Sequence, residues 1–539
     1  MRVNRLVAST FLIATGIYSA NCQAQTEKPI YSFVGTPDGS NPGASVVVDG
    51  KTGNIYGVTT NGGSQSRGAV FQLVPPATAG GTWQETVIYS FGLDPDGLNP
   101  NAIVEDQQTG ILYGTTMFGG TNANGILFKL TPPSASGTTW SESVVYNFGP
   151  LASAGPLGDL IMDASGNLYA TTIGGAAFEL TPPSGGSGGW SATMISPFQN
   201  IFCDLNWPNV PGLVFDAGTG TLFGSAPCGG ILVSQVGAVF QLTPPASSGS
   251  IWTQSNQHYF QGGAQDGLVP SGSLVDLNGV VYGTTQGGGT QDLGTVYELI
   301  PPIAVGGSSL FQLLHTFSGG SDGQFPLGGL VAVNGVLFGT TSDVLGSGSG
   351  TIFGLYVGAN GAWTEVDLYA FNGSPGDGAN PYASLTAAPN GVSNGQATLY
   401  GTTYLGGATN NGTVFVATLP VSGTGSPGSL FRAICETICF ENSLRWRRPP
   451  PPWILGSNSI AFDSTVQSVR EGGKVVEFMT RSLIGQSKFP VASMRALTIT
   501  FSRPTDFRPG QQCRLIAKGP VVGLSPRLEL LGFWKVQPR

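Results

Sequence analysis

A phrase built on "LYGTT" occurs seven times along the chain at nearly constant spacing. Its aromatic residue stands at Tyr56, Tyr113, Tyr169, Phe223, Tyr282, Phe338 and Tyr400, with intervals of 57, 56, 54, 59, 56 and 62 residues. A period of this length is one supersecondary unit, which buries its apolar surface against neighbouring copies of itself. The repeat therefore restricts the fold to a closed ring or a stacked array of like units.

Each unit is predicted to form four short strands. In the second copy, strand-like runs at 102–106, 111–116, 125–131 and 141–148 are separated by turn residues. The composition agrees, because 83 Gly and 38 Pro residues with only 10% charged residues are typical of many short strands joined by turns. Every unit also has a proline upstream of its "LYGTT" phrase, at Pro42, Pro100, Pro156, Pro208, Pro270, Pro326 and Pro381.

Seven units of four strands predict an all-β fold, a seven-bladed β-propeller of four-stranded blades. The segment "PIYSF" at 29–33 is a lone copy of the last strand, and the seventh unit ends without one. The N-terminal strand is therefore expected to complete blade seven and close the ring, leaving no open sheet edge at the junction. A parallel β-helix is the competing fold, but its coils are usually shorter and would not need a proline turn in every unit.

The repeat resembles that of the bacterial GloVer tandem-repeat (choice-of-anchor) proteins over residues 30–419. The units of that family share "LYGTTxxGGxxxxGTVFxLTP", and "LYGTTMFGGTNANGILFKLTP" at 112–132 is a close match. The resemblance implies an exported or surface-anchored propeller, often with a sorting anchor at the C-terminus. It supplies no catalytic residues.

Four regions are predicted. Residues 1–24 are typical of a signal peptide, with Arg2 and Arg5 ahead of an apolar run and a small-x-small cleavage site. Residues 25–429 form the propeller, 430–456 an Arg- and Pro-rich linker, and 457–539 a basic, β-rich C-terminal region. No other stretch has the roughly 20 continuous apolar residues of a membrane-spanning helix. The mature chain is thus expected to be secreted or at the cell surface, as a monomer.

The C-terminal region differs in charge from the repeats. Residues 430–539 contain 16 Lys and Arg against 7 Asp and Glu, which leaves 6 against 23 for residues 1–429. A basic domain that docks on the acidic ring or an anionic surface is one interpretation, and a shifted reading frame is another. Nucleic-acid binding is disfavoured because no known motif frames the basic residues. Cys435, Cys439 and Cys513 are an odd number of thiols, so their pairing stays open.

Five of the loops that lead into the first strand of a unit contain Asp-Gly, and these aspartates are the first ligand-binding candidates. They are Asp38, Asp96, Asp266, Asp322 and Asp377. Carboxylates on one face of a ring could bind Ca²⁺ or the hydroxyls of a sugar, although Asp-Gly is also ordinary turn chemistry. Apart from Ca²⁺, no cofactor or metal is predicted. Phe118 and Tyr404, after "LYGTT", could stack on a sugar ring or pack in the core.

Blade four departs most from the repeat, through "FCDLNWPNV" at 202–210. Asp204 and Trp207 of this segment are further ligand-binding candidates. Cys203 and Cys228 are placed on one face of the ring, and a disulfide between them suits an exported chain. Two unpaired thiols are the alternative.

Catalysis is weakly supported. The only histidines, His258 and His315, stand at outer-strand positions, and no Ser/His/Asp set, zinc spacing or phosphate-binding loop is present. The first functional hypothesis is therefore a binding or scaffold propeller for a glycan or a surface protein. The alternative is an extracellular carbohydrate-active hydrolase or lyase that uses carboxylates on the loop face.

Overall fold

The computed structural model describes most of residues 26–421 and the strands of the C-terminal region. Within 26–421 the undescribed positions are 79, 135–136, 138, 150–154, 173–175, 184–188, 198–211, 217, 228–235, 246–251, 278, 301–308, 344–347 and 358–361. Strands are numbered β1–β37 in chain order.

Seven antiparallel sheets of four strands each make up the repeat region. The strands of each blade are given from the innermost outwards. Blade one consists of β3 (Val47–Val48), β4 (Ile55–Thr59), β6 (Ala69–Val74) and β7 (Gln84–Ser90), and blade two of β8 (Gly97–Asp106), β9 (Ile111–Gly119), β10 (Ile126–Thr131) and β11 (Ser141–Asn147). Blade three consists of β12 (Ile161–Met162), β13 (Leu168–Thr172), β14 (Ala176–Thr181) and β15 (Ser191–Pro197).

The next three blades have the same strand order. Blade four is β16 (Leu213–Asp216), β17 (Thr221–Ala226), β18 (Ala238–Thr243) and β19 (Thr253–Tyr259); blade five is β20 (Gly267–Leu277), β21 (Val280–Gly288), β22 (Thr295–Ile300) and β23 (Leu310–Thr316); blade six is β24 (Val331–Val333), β25 (Val336–Thr341), β26 (Thr351–Val357) and β27 (Trp363–Ala370).

Blade seven combines the two ends of the repeat region. Its strands are β29 (Thr386–Ser393), β30 (Gln396–Thr403), β32 (Thr413–Pro420) and, outermost, the N-terminal β1 (Thr26–Ser32). β1 runs antiparallel to β32, with Lys28 opposite Val416 and Tyr31 opposite Val414. The innermost strands contact one another in a complete cycle, β3–β8–β12–β16–β20–β24–β29 and back to β3. The predicted closed propeller is confirmed, and the β-helix is excluded.

Glycine and phenylalanine of the repeat fit together inside each blade. A Cβ on Gly57 of "YGVT" would come 2.3 Å from the ring of Phe71 on the adjacent strand, so only glycine leaves room for this ring. The same contact joins Gly114 to Phe128. The repeat therefore keeps Gly and Phe opposite each other on adjacent strands, because the ring occupies the place of the missing side chain.

The core lies between the blades. Phe33, which follows the outermost strand of blade seven, is fully buried and meets Phe71 of blade one edge to face, with ring centroids 5.1 Å apart. Phe91 and Phe128 repeat this contact at the next seam, at 5.2 Å. Burial of such aromatic pairs is a large source of stability, so adjacent blades are joined by their repeated aromatic residues.

The lead-in loop, which connects one blade to the innermost strand of the next, pairs with the "GG" loop after "LYGTT". β2 (Gly39–Ser40) pairs with β5 (Asn61–Gly62), and β28 (Gly378–Ala379) with β31 (Leu405–Gly406). In blade two the same pairing is continuous with the blade, so β8 begins five residues before the predicted strand at 102. The two loops of a blade thus lie side by side on one face, called here the loop face.

The C-terminal region contains a five-stranded antiparallel sheet of order β35-β34-β33-β36-β37. Its strands are β33 (Ser459–Arg470), β34 (Val475–Ile484), β35 (Ala496–Thr500), β36 (Gln512–Lys518) and β37 (Glu529–Lys535). β34 to β37 overlap apolar runs of the sequence at 474–483, 495–502, 513–522 and 528–536. Among the residues described, no helix is long and apolar enough to cross a bilayer.

Candidate functional site

The five loop aspartates have the same surroundings. In the loop leading into blade two, the Tyr89 hydroxyl donates to Oδ2 of Asp96 at 2.9 Å and the Gly92 amide donates to the same oxygen at 2.6 Å. The Gly97 amide donates to Oδ1 at 2.7 Å. Asp96 thereby connects the outermost strand of blade one to the turn that leads into blade two.

The other four aspartates accept equivalent hydrogen bonds. Their donors are Tyr31, Val34 and Gly39 for Asp38; His258, Gln261 and Gly267 for Asp266; His315 and Ser318 for Asp322; and Tyr369, Asn372 and Gly378 for Asp377. All five therefore lie beside the outermost strands and act as turn residues. Their role in ligand binding stays a prediction.

Both histidines replace the tyrosine of these contacts. His258 Nε2 lies 3.0 Å from Asp266 Oδ1, and His315 Nε2 lies 2.8 Å from Asp322 Oδ1. The histidines thus fill outer-strand positions as expected from the sequence, and each also bonds to a loop aspartate. Burial alone would raise the pKa of Asp322, but hydrogen bonds from His315 and Ser318 outweigh it and hold that pKa below its usual value.

A glutamate from the outermost strand of the following blade faces four of these aspartates. Burial and the nearby Asp38 raise the pKa of Glu85 to about 7, and burial and Asp96 raise that of Glu142 to about 7. Burial and Asp377 raise the pKa of Glu27 to about 8. In each of these glutamates, Oε1 is buried without a hydrogen-bond partner among the described residues. The blade seams therefore hold close carboxyl pairs.

The fourth such glutamate, Glu365 of β27, completes a cluster with a histidine. Ligand atoms of His315, Asp322 and Glu365 all lie within 4.8 Å of one another between blades five and six. Burial, followed by the charges of Asp367 and Asp322, raises the pKa of Glu365 to about 8. The cluster is not evident from the sequence because Glu365 lies 50 residues from His315. The sequence does contain a signal for it: His315 replaces the tyrosine of the "YSF" strand, and Glu365 stands four residues before Tyr369 in the next unit.

A pair of stacked tyrosines lies on the loop face at blade seven. Tyr382 follows the lead-in proline, Tyr404 follows "YGTT", and their ring centroids are 4.8 Å apart with an interplanar angle of 26°. Both rings are partly buried. The Asn41 amide nitrogen donates to the Tyr404 carbonyl at 3.0 Å. Asn380 Oδ1 is a buried acceptor with no partner among the described residues.

The tyrosine pair is a departure from the repeat. Residues equivalent to Tyr382 are Gly43, Asn101, Leu157, Asn209, Ser271 and Leu327, and those equivalent to Tyr404 are Thr60, Met117, Ile173, Pro227, Gln286 and Ser342. The position opposite the pair is held by Gly43, where a Cβ would come 3.6 Å from the Tyr404 ring. Phe118, the other aromatic proposed for stacking, is 42% exposed in blade two.

Three blades contribute polar side chains at the ring axis. The Ser273 hydroxyl of blade five donates to Asp159 Oδ2 of blade three, and the Ser384 hydroxyl of blade seven donates to Ser273 Oγ at 3.3 Å. Burial raises the pKa of Asp159, and the hydrogen bond from Ser273 partly offsets the rise. Asp159 is thus a carboxyl group at the axis, where most blades place small residues such as Gly329.

The candidates in blade four lie outside the described residues. Asp204, Trp207 and Cys203 fall within 198–211, and Cys228 falls within 228–235. The predicted Cys203–Cys228 disulfide and the ligand role of Asp204 and Trp207 therefore stay predictions.

Seven four-stranded sheets in a closed ring, with paired loops on one face, define a seven-bladed β-propeller built from tandem repeats. The Gloeobacter/Verrucomicrobia repeat model matches residues 14–181 and 172–415. The chain belongs to this GloVer family, as the resemblance of its repeat predicted.

Solved structures resemble the chain distantly. An ancestral GH74 enzyme is 15% identical over 71% of this chain with a TM-score of 0.46, and the chain spans about half of its length, 48%. A polysaccharide lyase is 10% identical, with 75% of this chain and 94% of the lyase covered and a TM-score of 0.40. The periplasmic gluconolactonase of Pseudomonas aeruginosa is 12% identical, with 71% and 86% covered and a TM-score of 0.36. No curated protein matches the chain.

Proposed function

We propose that the chain is an exported binding propeller, secreted or held at the cell surface, whose loop face binds a carbohydrate at Tyr382 and Tyr404. The observation that carries this proposal is the stacked tyrosine pair, which stands where other blades have small, polar or aliphatic residues. Residues that recur in every blade pack the blades together. A residue that differs in one blade is not needed for this packing and is available to bind a ligand.

The chemistry of the pair suits a sugar. The apolar face of a pyranose packs on an aromatic ring, while its hydroxyls need hydrogen-bond donors and acceptors close by. Beside the rings, Asn380 Oδ1 is an acceptor without a partner among the described residues. Gly43 leaves the surface next to Tyr404 without a side chain. A sugar ring packed on the Tyr404 ring would lie beside Gly43.

Export is supported by the N-terminal sequence. Arg2 and Arg5 precede an apolar run and a small-x-small site before residue 25, a pattern typical of a secretory signal. β1 begins at Thr26, so removal of residues 1–24 leaves the closing strand of the propeller intact. The exported chain would keep its closed ring and would present its loop face to an extracellular glycan as a monomer.

A glycan array tests the proposal. The full chain, the double variant Tyr382→Ser/Tyr404→Ser and the control Phe118→Ser are applied with and without Ca²⁺. Serine occupies both equivalent positions elsewhere, at Ser271 and Ser342, so the double variant restores residues that the repeat already tolerates.

We expect the wild type and Phe118→Ser to bind the same saccharides, and the double variant to bind none of them. Binding that survives in the double variant would reject the tyrosine site. Loss only in Phe118→Ser would move the site to blade two. Absence of binding by every folded variant would favour a protein partner instead.

A further inference from the structure

We propose that His315, Asp322 and Glu365 form a binding site for a divalent transition metal, with Zn²⁺ the best-matched cation, at the seam between blades five and six. The site is separate from the tyrosine pair of blade seven, and it holds together strands of two different blades. A bound metal would join β23, the lead-in loop of blade six and β27.

The three ligand atoms are already close. They lie within 4.8 Å of one another, with His315 Nε2 2.8 Å from Asp322 Oδ1. Zn–N and Zn–O bonds of about 2 Å bring ligand atoms to about 3–3.5 Å from each other in a tetrahedral site. A cation between these groups therefore requires side-chain adjustment rather than movement of the strands.

The orientation of the ligands is supported by neighbouring groups. The amide and hydroxyl of Ser318 donate to Asp322 Oδ2 at 2.6 and 2.7 Å, which leaves Oδ1 directed at His315. The imidazole of His315 meets Phe317 edge to face, with centroids 4.8 Å apart. Such neighbouring contacts hold the ligand side chains in place.

The buried Oε1 of Glu365 has equivalents at the tyrosine seams, in Glu27, Glu85 and Glu142, and what distinguishes this seam is the imidazole beside it. Glu365 Oε1 is buried and has no hydrogen-bond partner among the described residues, although burial of such an oxygen is costly. Asp322 and Asp367 both lie near Glu365. A divalent cation between Asp322 and Glu365 would satisfy this oxygen and offset the charge of the two ligand carboxylates. The imidazole would at the same time exchange its hydrogen bond to Asp322 for a bond to the metal.

Of the seams that the structure describes, this one alone combines imidazole with two carboxylates. Three comparable seams have tyrosine in place of histidine, as in the sets Tyr31/Asp38/Glu85, Tyr89/Asp96/Glu142 and Tyr369/Asp377/Glu27. At the seam between blades four and five, His258 and Asp266 are present but Phe311 stacks on the imidazole at 3.9 Å. These four seams therefore serve as comparisons for the proposed metal site.

The ligand set selects among cations. One imidazole and two carboxylates suit Zn²⁺ and other first-row divalent ions, whereas Ca²⁺ prefers six to eight oxygen ligands. Three protein ligands leave a fourth tetrahedral position to water. Because the ligands come from two blades, binding to the folded state alone would stabilise the ring by an amount that grows with the logarithm of the free metal concentration.

Calorimetric titration of Zn²⁺ and thermal unfolding with and without Zn²⁺ test the site. The full chain is used without an affinity tag and with its thiols alkylated, so that cysteine does not contribute ligands. The wild type is compared with His315→Tyr, Glu365→Gln and the control His258→Tyr. Each tyrosine substitution reproduces the Tyr–Asp contact of other blades, so both variants are expected to fold.

We expect one Zn²⁺ equivalent to be lost in His315→Tyr and in Glu365→Gln and retained in His258→Tyr. The melting temperature should rise with Zn²⁺ in the wild type and in His258→Tyr only, and Ca²⁺ should have no such effect. Equal binding by the wild type and His315→Tyr, or equal loss in His258→Tyr, would overturn the proposal. So would a wild type that binds no Zn²⁺.

Discussion

Gly412 of blade seven lies directly against Pro42 of blade one, and a Cβ on this glycine would come 2.5 Å from the Pro42 Cδ. The same contact joins successive blades at five other seams, at Gly68–Pro100, Gly125–Pro156, Gly237–Pro270, Gly294–Pro326 and Gly350–Pro381. Repeated Gly and Pro residues thus meet across the seams and set the spacing between blades.

Replacing Gly412 by alanine should destabilise the ring by roughly 2–4 kcal/mol, because overpacking adds to the strain of a positive φ. The φ of Gly412 is +91°, and its Cβ would also come 2.4 Å from the Thr403 carbonyl oxygen. Gly149→Ala is the control, since a Cβ there meets nothing within 4 Å. Chemical denaturation measures both variants, and similar stabilities would contradict the assigned contact.

Changing Asp96 to asparagine should cost roughly 1–2 kcal/mol of stability, because one carboxylate oxygen that accepts a hydrogen bond is lost. Asp94→Asn in the same loop should be nearly neutral, since the Asp94 side chain is 69% exposed and pairs only at the surface with Arg67. Thermal unfolding compares the two. An equal effect would mean that Asp96 is not a structural acceptor. Any test of ligand binding by these aspartates therefore needs a folding measurement beside it.

Replacing Tyr297 by phenylalanine should raise stability by about 1–2 kcal/mol. The Tyr297 hydroxyl is fully buried without a hydrogen-bond partner among the described residues, and equivalent positions hold Phe71, Phe128 and Phe353. Tyr356→Phe is a control of opposite sign, because the Tyr356 hydroxyl donates to the Pro420 carbonyl at 2.8 Å. A stability loss in Tyr297→Phe would show that the hydroxyl has a partner in solution.

Glu85 should make the stability of the seam between blades seven and one depend on pH. Burial and Asp38 raise its pKa from 4.5 to about 7 in the folded chain. The protonated form is therefore favoured by folding, and this contribution is complete below pH 4.5 and lost as pH rises through about 7.

Glu85→Gln should accordingly flatten the pH dependence. At pH 5 the variant should resemble the wild type, whereas above pH 8 it should be more stable because no second charge faces Asp38. Unfolding free energies measured from pH 5 to 9 test this difference. Parallel curves for the two proteins would show that Glu85 titrates alike in the folded and unfolded chain.

Much of the fold could be predicted from the repeat, because one period specifies four strands and two loops and the lone "PIYSF" specifies closure. The beginning of β8 at Gly97 was not foreseen, since pairing between the lead-in and "GG" loops is a tertiary contact. The local sequence indicates which residues favour a strand. It does not show where hydrogen bonds to a neighbouring loop lengthen that strand.

The sites were harder to foresee. Tyr404 was recognised as an aromatic on the loop face, but its stacking on Tyr382 depends on two loops 22 residues apart. Likewise, the cluster of His315, Asp322 and Glu365 forms only when blades five and six meet. The tyrosine pair combines two departures from the repeat, whereas the cluster adds one departure, His315, to an aspartate and a glutamate that have equivalents at other seams.

The central claim is that repeated residues set the shape of the ring, while Tyr382 and Tyr404, which depart from the repeat, bind a carbohydrate. Its most direct test is the dissociation constant of a saccharide selected on the array, measured by calorimetry for the wild type and for Tyr382→Ser/Tyr404→Ser, with the melting temperature of each. We predict that affinity falls by about tenfold or more, a loss of about 1.4 kcal/mol, while the double variant still unfolds cooperatively, with its melting temperature lowered only by the loss of the two partly buried rings. Unchanged affinity in a folded double variant would contradict the claim.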